Sequence, residues 1–208
     1  MKYIKLRNGD SFSAMVLGAG KLGRLAESEA VQLIKTAKKH GVDCIDMLAE
    51  NAQAFVNVHE AIDGCAGDWK LILHFGVDYS RGEVRRVSDM GAVMNSVTAQ
   101  MQTLRIDRLD FACLDCLDGL KSLKDAKACG ILPMMQELKT AGVIHEICAY
   151  AESDEAAEEL LAAGIFAFVM VKSQLGTVIC EEAGKAVSEV KTPADLVELH
   201  SMLKEYKV

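Results

Sequence analysis

Three side chains of this 208-residue chain stand where strand ends commonly place reactive groups. Asp46 lies near the end of the apolar run "DCIDML" (43–48), His74 near the end of "KLILHF" (70–75), and Asp115 directly follows "LDFACL" (109–114). A carboxylate accepts hydrogen bonds and protons, and an imidazole changes charge near neutral pH. If the three runs are neighbouring strands with barrel orientation, all three side chains face inward near one mouth. Two carboxylates and an imidazole placed there could hold a divalent cation, or act as an Asp–His acid–base pair. Period-two alternation puts Cys44 and Cys113 one layer below them. The competing reading is a wet cavity filled by polar residues with no chemical task.

Two other patterns suggest chemistry. Gly18-Ala19-Gly20-Lys21-Leu22-Gly23 matches the G-x-G-x-x-G that brings backbone close to a dinucleotide pyrophosphate. Helical periodicity begins only near Glu27, however, and Asp46 lies 28 positions beyond Gly18, where about 20 is expected. The loop then reads as an ordinary strand-to-helix turn. Cys113-x-x-Cys116 has metal or redox spacing, but on a strand an offset of three sends the side chains to opposite faces. It lacks a second such pair or a nearby His pair. The seven cysteines (44, 65, 113, 116, 129, 148 and 180) lie mostly in apolar runs. They fit reduced core thiols of a cytoplasmic protein.

The elements that must position these groups alternate. Residues 2–14 read as a hairpin around Asn8-Gly9, a type I′ turn signal. Strands are expected at 14–18, 43–48, 70–75, 109–114, 145–150 and 166–171, with a weaker seventh at 185–190. Helices are expected at 27–40, at 52–63, over the Val84–Met101 periodicity, at 128–140, after the N-cap Ser153, and from Thr192-Pro193 onward. This alternation implies an α/β fold in one domain, either a doubly wound open sheet or a (β/α) barrel. The composition is half hydrophobic, enough for a sizeable core. The formal net charge of -7 argues against a broad basic face for nucleic acid or anionic membrane. No stretch of about 18 apolar residues is present, and no basic segment leads into an apolar run at the N-terminus.

Several stretches, in order over roughly residues 3–175, resemble the aldo-keto reductases. "VLGAGKLG" is similar to that family's "GLGTxxLG", and "AKKHGVDCIDMLAENAQAF" to its "A-x-x-x-G-[IV]-x-x-[IF]-D-T-A-x-x-Y-G". "MQTLRIDRLDFACLDCLDG" is similar to "SLxRLxxDYIDLYLLHxPD". "LKTAGVIHEICAYA" and "FAFVMVKSQL" are similar to "LKxxGKIRxIGVSN" and "VDVVQVEYNL". The resemblance implies a (β/α)8 barrel using NADPH, with its active site at the C-terminal ends of the strands. The chain is shorter than the ~250 residues of a typical full barrel. The expected fold is therefore an incomplete (β/α) TIM-like barrel over residues 1–208, with an N-terminal hairpin. A homodimer, or a curled sheet capped by residues 192–206, would cover its open edges.

The resemblance also assigns the site. Its four catalytic positions fall on Asp46, Asn51, His74 and Asp115, where the family has aspartate, tyrosine, lysine and histidine. Only Asp46 is retained. Its cofactor positions fall on Gly20, Lys21, Tyr150, Met170 and Ser173. Tyr150-Ala151 stands where a Ser-Asn pair holds the carboxamide, Met170 replaces a glutamine, and Ser173 replaces the tyrosine that stacks under the nicotinamide. Carbonyl reduction needs a proton donor for the developing alkoxide and a nicotinamide held within about 3–3.5 Å. Asn51 supplies no such proton and Ser173 no ring; Tyr79 and Tyr150 are phenols that could in principle replace the lost acid, but no nearby lysine supports a lowered pKa for either. The expected function is an aldo-keto-reductase-like protein without the usual activity, with a ligand-binding or regulatory role. The alternatives are an NAD(P)H-dependent oxidoreductase with a remodelled site and a metal-dependent enzyme using Asp46, His74 and Asp115. No cofactor is expected unless the resemblance extends to function, which would bring NADPH. The partner is a small-molecule ligand or a protein, not nucleic acid or membrane.

Overall fold

The computed structural model describes residues 1, 3–117, 119–171, 177–179 and 189–190. The chain opens with a hairpin of β1 (Tyr3–Lys5) and β2 (Ser11–Ser13), paired antiparallel. Then β3 (Val16–Gly18), α1 (Glu27–Lys39), β4 (Cys44–Asp46), α2 (Gln53–Ile62) and β5 (Lys70–Phe75) follow. A short ribbon of β6 (Val77–Asp78) and β7 (Arg85–Arg86) precedes α3 (Met90–Leu104). The chain continues through β8 (Leu109–Leu117), α4 (Gly119–Ala128), α5 (Ile131–Thr140), β9 (Ile144–Ala151), α6 (Asp154–Ala162) and β10 (Val169–Val171). Two short strands complete it, β11 (Thr177–Ile179) and β12 (Glu189–Val190).

Strands β3, β4, β5, β8, β9 and β10 form one parallel sheet in chain order. A doubly wound sheet would reverse its order at a switch point, and this one does not. It is the curled sheet of part of an α/β barrel. β12 pairs parallel with β3 at one edge, and β11 antiparallel with β10 at the other.

Strand alternation sorts the core into two clusters. One face of the sheet contributes Leu17, Ile45, Leu71, Leu73, Phe75, Leu114 and Ala149 to the layer packed under the helices. α1 meets it with Ala30, Leu33, Ile34 and Ala37, the stripe its periodicity predicts. The opposite face turns Val16, Cys44, Ile72, Phe111, Cys113, Cys148 and Met170 inward. The N-terminal hairpin closes the floor of that interior with Ile4, Leu6 and Phe12. The rings of Phe12, Phe111 and Phe168 meet there with centroids 5.0–5.3 Å apart, near the spacing aromatic pairs prefer.

Several local expectations are corrected. The hairpin loop has three residues, Arg7-Asn8-Gly9. Leu6 O accepts the Gly9 N–H at 3.0 Å and the Leu6 N–H goes to Asp10 O at 2.8 Å. Gly9 has φ +91° and Asn8 does not enter the left-handed region, so this is a turn followed by a left-handed glycine rather than type I′. The Val84–Met101 periodicity begins helix only at Met90, because Arg85 and Arg86 are already paired with β6 and Asp89 caps α3 by accepting the Ala92 N–H. The helix expected at 128–140 is α5, which begins at Ile131 after Gly130 at φ +88°, and a separate helix, α4, precedes it. α4 escaped notice because it buries only Gly119, Leu123 and Ala126. Ser153 caps α6 as expected, accepting the Ala156 N–H at 3.2 Å. The helix expected from Thr192 lies outside the described residues.

The glycine loop is a packing device. Leu22–Arg24 makes a short 3-10 turn, and α1 begins only at Glu27. A Cβ on Gly23 would stand 1.9 Å from Asn51 Oδ1 and 2.8 Å from Ala54 N, whereas one on Gly20 would meet only Leu48 O at 3.8 Å. Gly23→Ala is therefore expected to destabilise the fold by about 1–3 kcal/mol. Gly20→Ala should stay within about 0.5 kcal/mol. Urea unfolding of the two variants checks this, and equal midpoints would refute it.

Candidate functional site

Strand stagger assembles the site. Asp46 is in register with Ile72, two residues before His74, and His74 is in register with Cys113, two residues before Asp115. Each strand thus presents its polar residue one inward step further along than its neighbour, as strands tilted in a barrel do. The imidazole spans the steps. Its Nε2 stands 2.7 Å from Asp46 Oδ1 and its Nδ1 3.0 Å from Asp115 Oδ1. The three side chains are 0%, 5% and 2% exposed for His74, Asp46 and Asp115. Below them lie the buried thiols of Cys44, Cys113 and Cys148.

Burial alone would strip the proton from His74. The charge of Asp46, the hydrogen bonds to Asp115 and Asp46, and the charge of Asp115 outweigh it, and the pKa rises to about 10. At neutral pH the imidazole is a cation between two carboxylates, donating from both nitrogens. Asp46 Oδ1 also accepts the Leu48 N–H at 3.0 Å. Beyond Asp115 lies Arg86, whose Nε is 3.9 Å from Asp115 Oδ2 and whose Nη1 is 3.5 Å from Glu152 Oε1. Buried charges persist where each meets an opposite one, and this row alternates carboxylate, imidazolium, carboxylate, guanidinium.

The arrangement limits its own chemistry. A histidine binds a metal through a ring nitrogen that carries no proton, and here both nitrogens face carboxylates. Among the described residues no group of three His, Cys, Asp or Glu is placed to hold a metal ion. The structure does bring Asp46, His74 and Asp115 together, with each imidazole nitrogen facing a carboxylate. A protonated His74 is also no general base near neutral pH.

The remaining expected residues are dispersed. Asn51 opens α2, where its Oδ1 accepts the Gln53 N–H at 3.1 Å and its backbone bridges to Glu83. Gly20 is half-buried and Lys21 exposed in the loop after β3. Tyr150 and Met170 are in register on β9 and β10. Met170 is buried in the inner cluster, and the Tyr150 ring stands edge-on to His74 with centroids 6.0 Å apart. Ser173 lies outside the described residues, as do the side chain of Cys116 and all of Cys180. Tyr79 is buried behind the loop that follows β4, where its hydroxyl accepts the Ala49 N–H at 3.1 Å and reaches Met47 O at 3.4 Å. Burial, with Asp46 and Asp115 nearby, raises its pKa despite the Ala49 N–H, so the phenol holds its proton.

Sequence reasoning missed Arg86. Neighbouring residues of a strand point to opposite faces. Arg85 pairs with Asp78, and Arg86 is left to reach Asp115. A pair of arginines three residues before a helix cap carried no further signal. Between Arg86 and α4 lies a cleft of about 520 Å³, with Asp115, Ser88, Ser122 and Asp125 on its walls. It opens beside the C-terminal ends of β5 and β8, the end where barrel enzymes bind ligands.

No protein-family model matches the sequence, and no curated protein matches it. Solved structures do. A Pseudomonas aeruginosa protein assigned to the aldo-keto reductases superposes with a TM-score of 0.75 at 20% identity, over 95% of this chain and 92% of that one. An aldo-keto reductase from Bacillus halodurans, in its holo form, gives 0.66 at 19%, over 82% of this chain and 65% of that one. A Klebsiella pneumoniae aldo-keto reductase in complex with NADPH gives 0.58 at 18%, over 77% and 53% respectively. The chain thus spans about half to nine-tenths of these proteins and has the aldo-keto reductase fold.

The site predicts a pH dependence. His74 binds its proton more tightly folded, with a pKa of about 10, than unfolded, at about 6.5. The folded state then holds more protons between those values, so stability is full below pH 6.5 and falls as pH rises toward 10. Urea unfolding across that window is expected to show the decline in the unmodified chain and a flatter profile in His74→Gln. An unmodified chain equally stable at both ends would contradict the assignment.

Proposed function

We propose that this chain is an aldo-keto-reductase-like protein that does not carry out the carbonyl reduction of its structural neighbours, and that it acts by binding a ligand or partner. The observation that carries this reading is His74, held on both nitrogens by Asp46 and Asp115 and closed from solvent. Reduction of a carbonyl requires a group that gives a proton to the new alkoxide. The imidazolium is fully buried. Asn51 is turned to the start of α2, and the Tyr79 hydroxyl is bonded behind the loop after β4.

NADPH is the cofactor to test, since it is bound to one neighbour. The positions that would meet its nicotinamide do not fit that role. Met170 packs into the inner cluster and offers no amide, while the Tyr150 ring occupies the space beside His74. No reaction step is therefore assigned to the dinucleotide. The unpaired buried thiols Cys44, Cys113 and Cys148 fit a reducing compartment. No helix among the described residues is long and apolar enough to cross a membrane.

Two measurements test the proposal. Titration with NADPH, followed by nucleotide fluorescence, is expected to show no saturable change at high micromolar concentration. Incubation with NADPH and a panel of aliphatic and aromatic aldehydes should consume nucleotide no faster than buffer. Turnover by the unmodified chain that disappears in Asp46→Asn would replace this reading with an active, remodelled oxidoreductase.

A further inference from the structure

The barrel interior below the Asp46–His74–Asp115 row holds a second group of reactive side chains. Cys44, Cys113 and Cys148 all turn inward, and all three are buried as free thiols. Only two of them are neighbours. Cys113 on β8 and Cys148 on β9 are direct partners in the parallel register, whereas β5 stands between the strands of Cys44 and Cys113. The hydrogen bonds of the row above use none of the three.

Register fixes the geometry of the pair. Adjacent strands lie about 4.7–4.9 Å apart, and the Cα atoms joined by a disulfide usually stand about 4.4–6.8 Å apart. Both side chains leave their strands on the same face, so their sulfurs meet without a change in backbone path. The two thiols already interact. After burial itself, the hydrogen bond between them is the largest influence holding the Cys113 pKa well above its ordinary value.

Burial sets the rate at which such a pair reacts. Cys113 and Cys148 are 0% exposed, and a raised thiol pKa leaves little of the thiolate that attacks an oxidant. The way in is from the floor. Phe111 precedes Cys113 by two residues on the same face of β8, and the Phe168 carbonyl accepts the N–H of Ala149, next to Cys148, at 3.3 Å. Phe12 of the hairpin rests on both rings. The hairpin is a two-stranded sheet of its own and pairs with no strand of the barrel sheet. It can therefore lift by local opening while the barrel sheet stays intact, and a small uncharged oxidant then meets the thiols.

We propose that Cys113 and Cys148 form a peroxide-sensitive dithiol, which closes to an intramolecular disulfide when the hairpin opens. The thiolate of one cysteine attacks an oxygen of hydrogen peroxide. The O–O bond breaks, a sulfenic acid forms, and the departing hydroxide takes up a proton to become water. The second thiol gives up its proton, and its sulfur attacks the first. The S–O bond breaks and a second water leaves. The two thiols lose two electrons in all, and the peroxide is reduced to water. The proposal stands independently of whether the barrel mouth is catalytic.

The folded chain is treated with hydrogen peroxide, remaining thiols are blocked with iodoacetamide in urea, and unreduced peptides are mapped by mass spectrometry. A peptide linking Cys113 to Cys148 is expected to accumulate with time, to vanish on treatment with dithiothreitol, and to be missing from Cys113→Ala, or from Cys148→Ala if the first variant does not fold. Phe12→Leu, which loosens the floor, should form the link about tenfold faster, and Phe12→Met serves if the leucine variant does not fold. Exposed Cys129 reports that the reagent has acted. Oxidation of Cys129 with no Cys113–Cys148 link would overturn the proposal. So would links from either cysteine to other thiols alone, or a link that forms no faster when the floor is loosened.

Discussion

Two carboxylates cannot both stay ionised side by side in a dry interior unless a cation stands between them. At this barrel mouth the cation is His74, and much of the local architecture follows from keeping it there. Strands β4, β5 and β8 must hold their stagger, because a one-residue slip would turn a member of the row into the helix-facing layer. The loop after β4 must stay close, because Asp46 accepts the Leu48 N–H as well as bonding the imidazole. The β6–β7 ribbon must fold back over the strand ends, because it carries Arg86 to Asp115. The site therefore resembles a structural ion row more closely than a reactive centre poised to exchange protons.

The structural neighbours give that row its context. A fold can be retained while the chemistry grafted on it changes, since the sheet depends on alternating apolar residues and the site on a few side chains at its rim. Leu17, Ile45, Leu73 and Val171 would serve any protein of this architecture. Asn51 and His74 stand where the resemblance places a tyrosine and a lysine.

The inner and outer faces were legible in the sequence because strands alternate with period two, so the positions of Asp46, His74 and Asp115 fix one another once the strands are parallel. The expected run 70–75 matches β5 end to end, since its apolar residues end at Gly76. Other features depended on contacts between distant segments. Val84 and Val87 fit a helical period, but the pairing of Arg85 and Arg86 with Val77 and Asp78 takes precedence. α4 has too little apolar surface to announce itself. Asn8-Gly9 signalled a turn correctly and its type wrongly, because both two-residue and three-residue loops place a glycine there. The commitment of both imidazole nitrogens could not be read from residue types, since it depends on distances of 2.7 and 3.0 Å across three strands.

The hairpin at the floor of the barrel bears on how the chain is made. Phe12 rests on Phe111 and Phe168, Asn8 donates to Glu146 at 3.0 Å, and Asp10 pairs with His145. The hairpin thus finds its seat only after more than 130 further residues have emerged. Until then Ile4, Leu6 and Phe12 have no interior to enter. Docking of the hairpin would be among the last events of folding, a seal set once the strands above it have assembled.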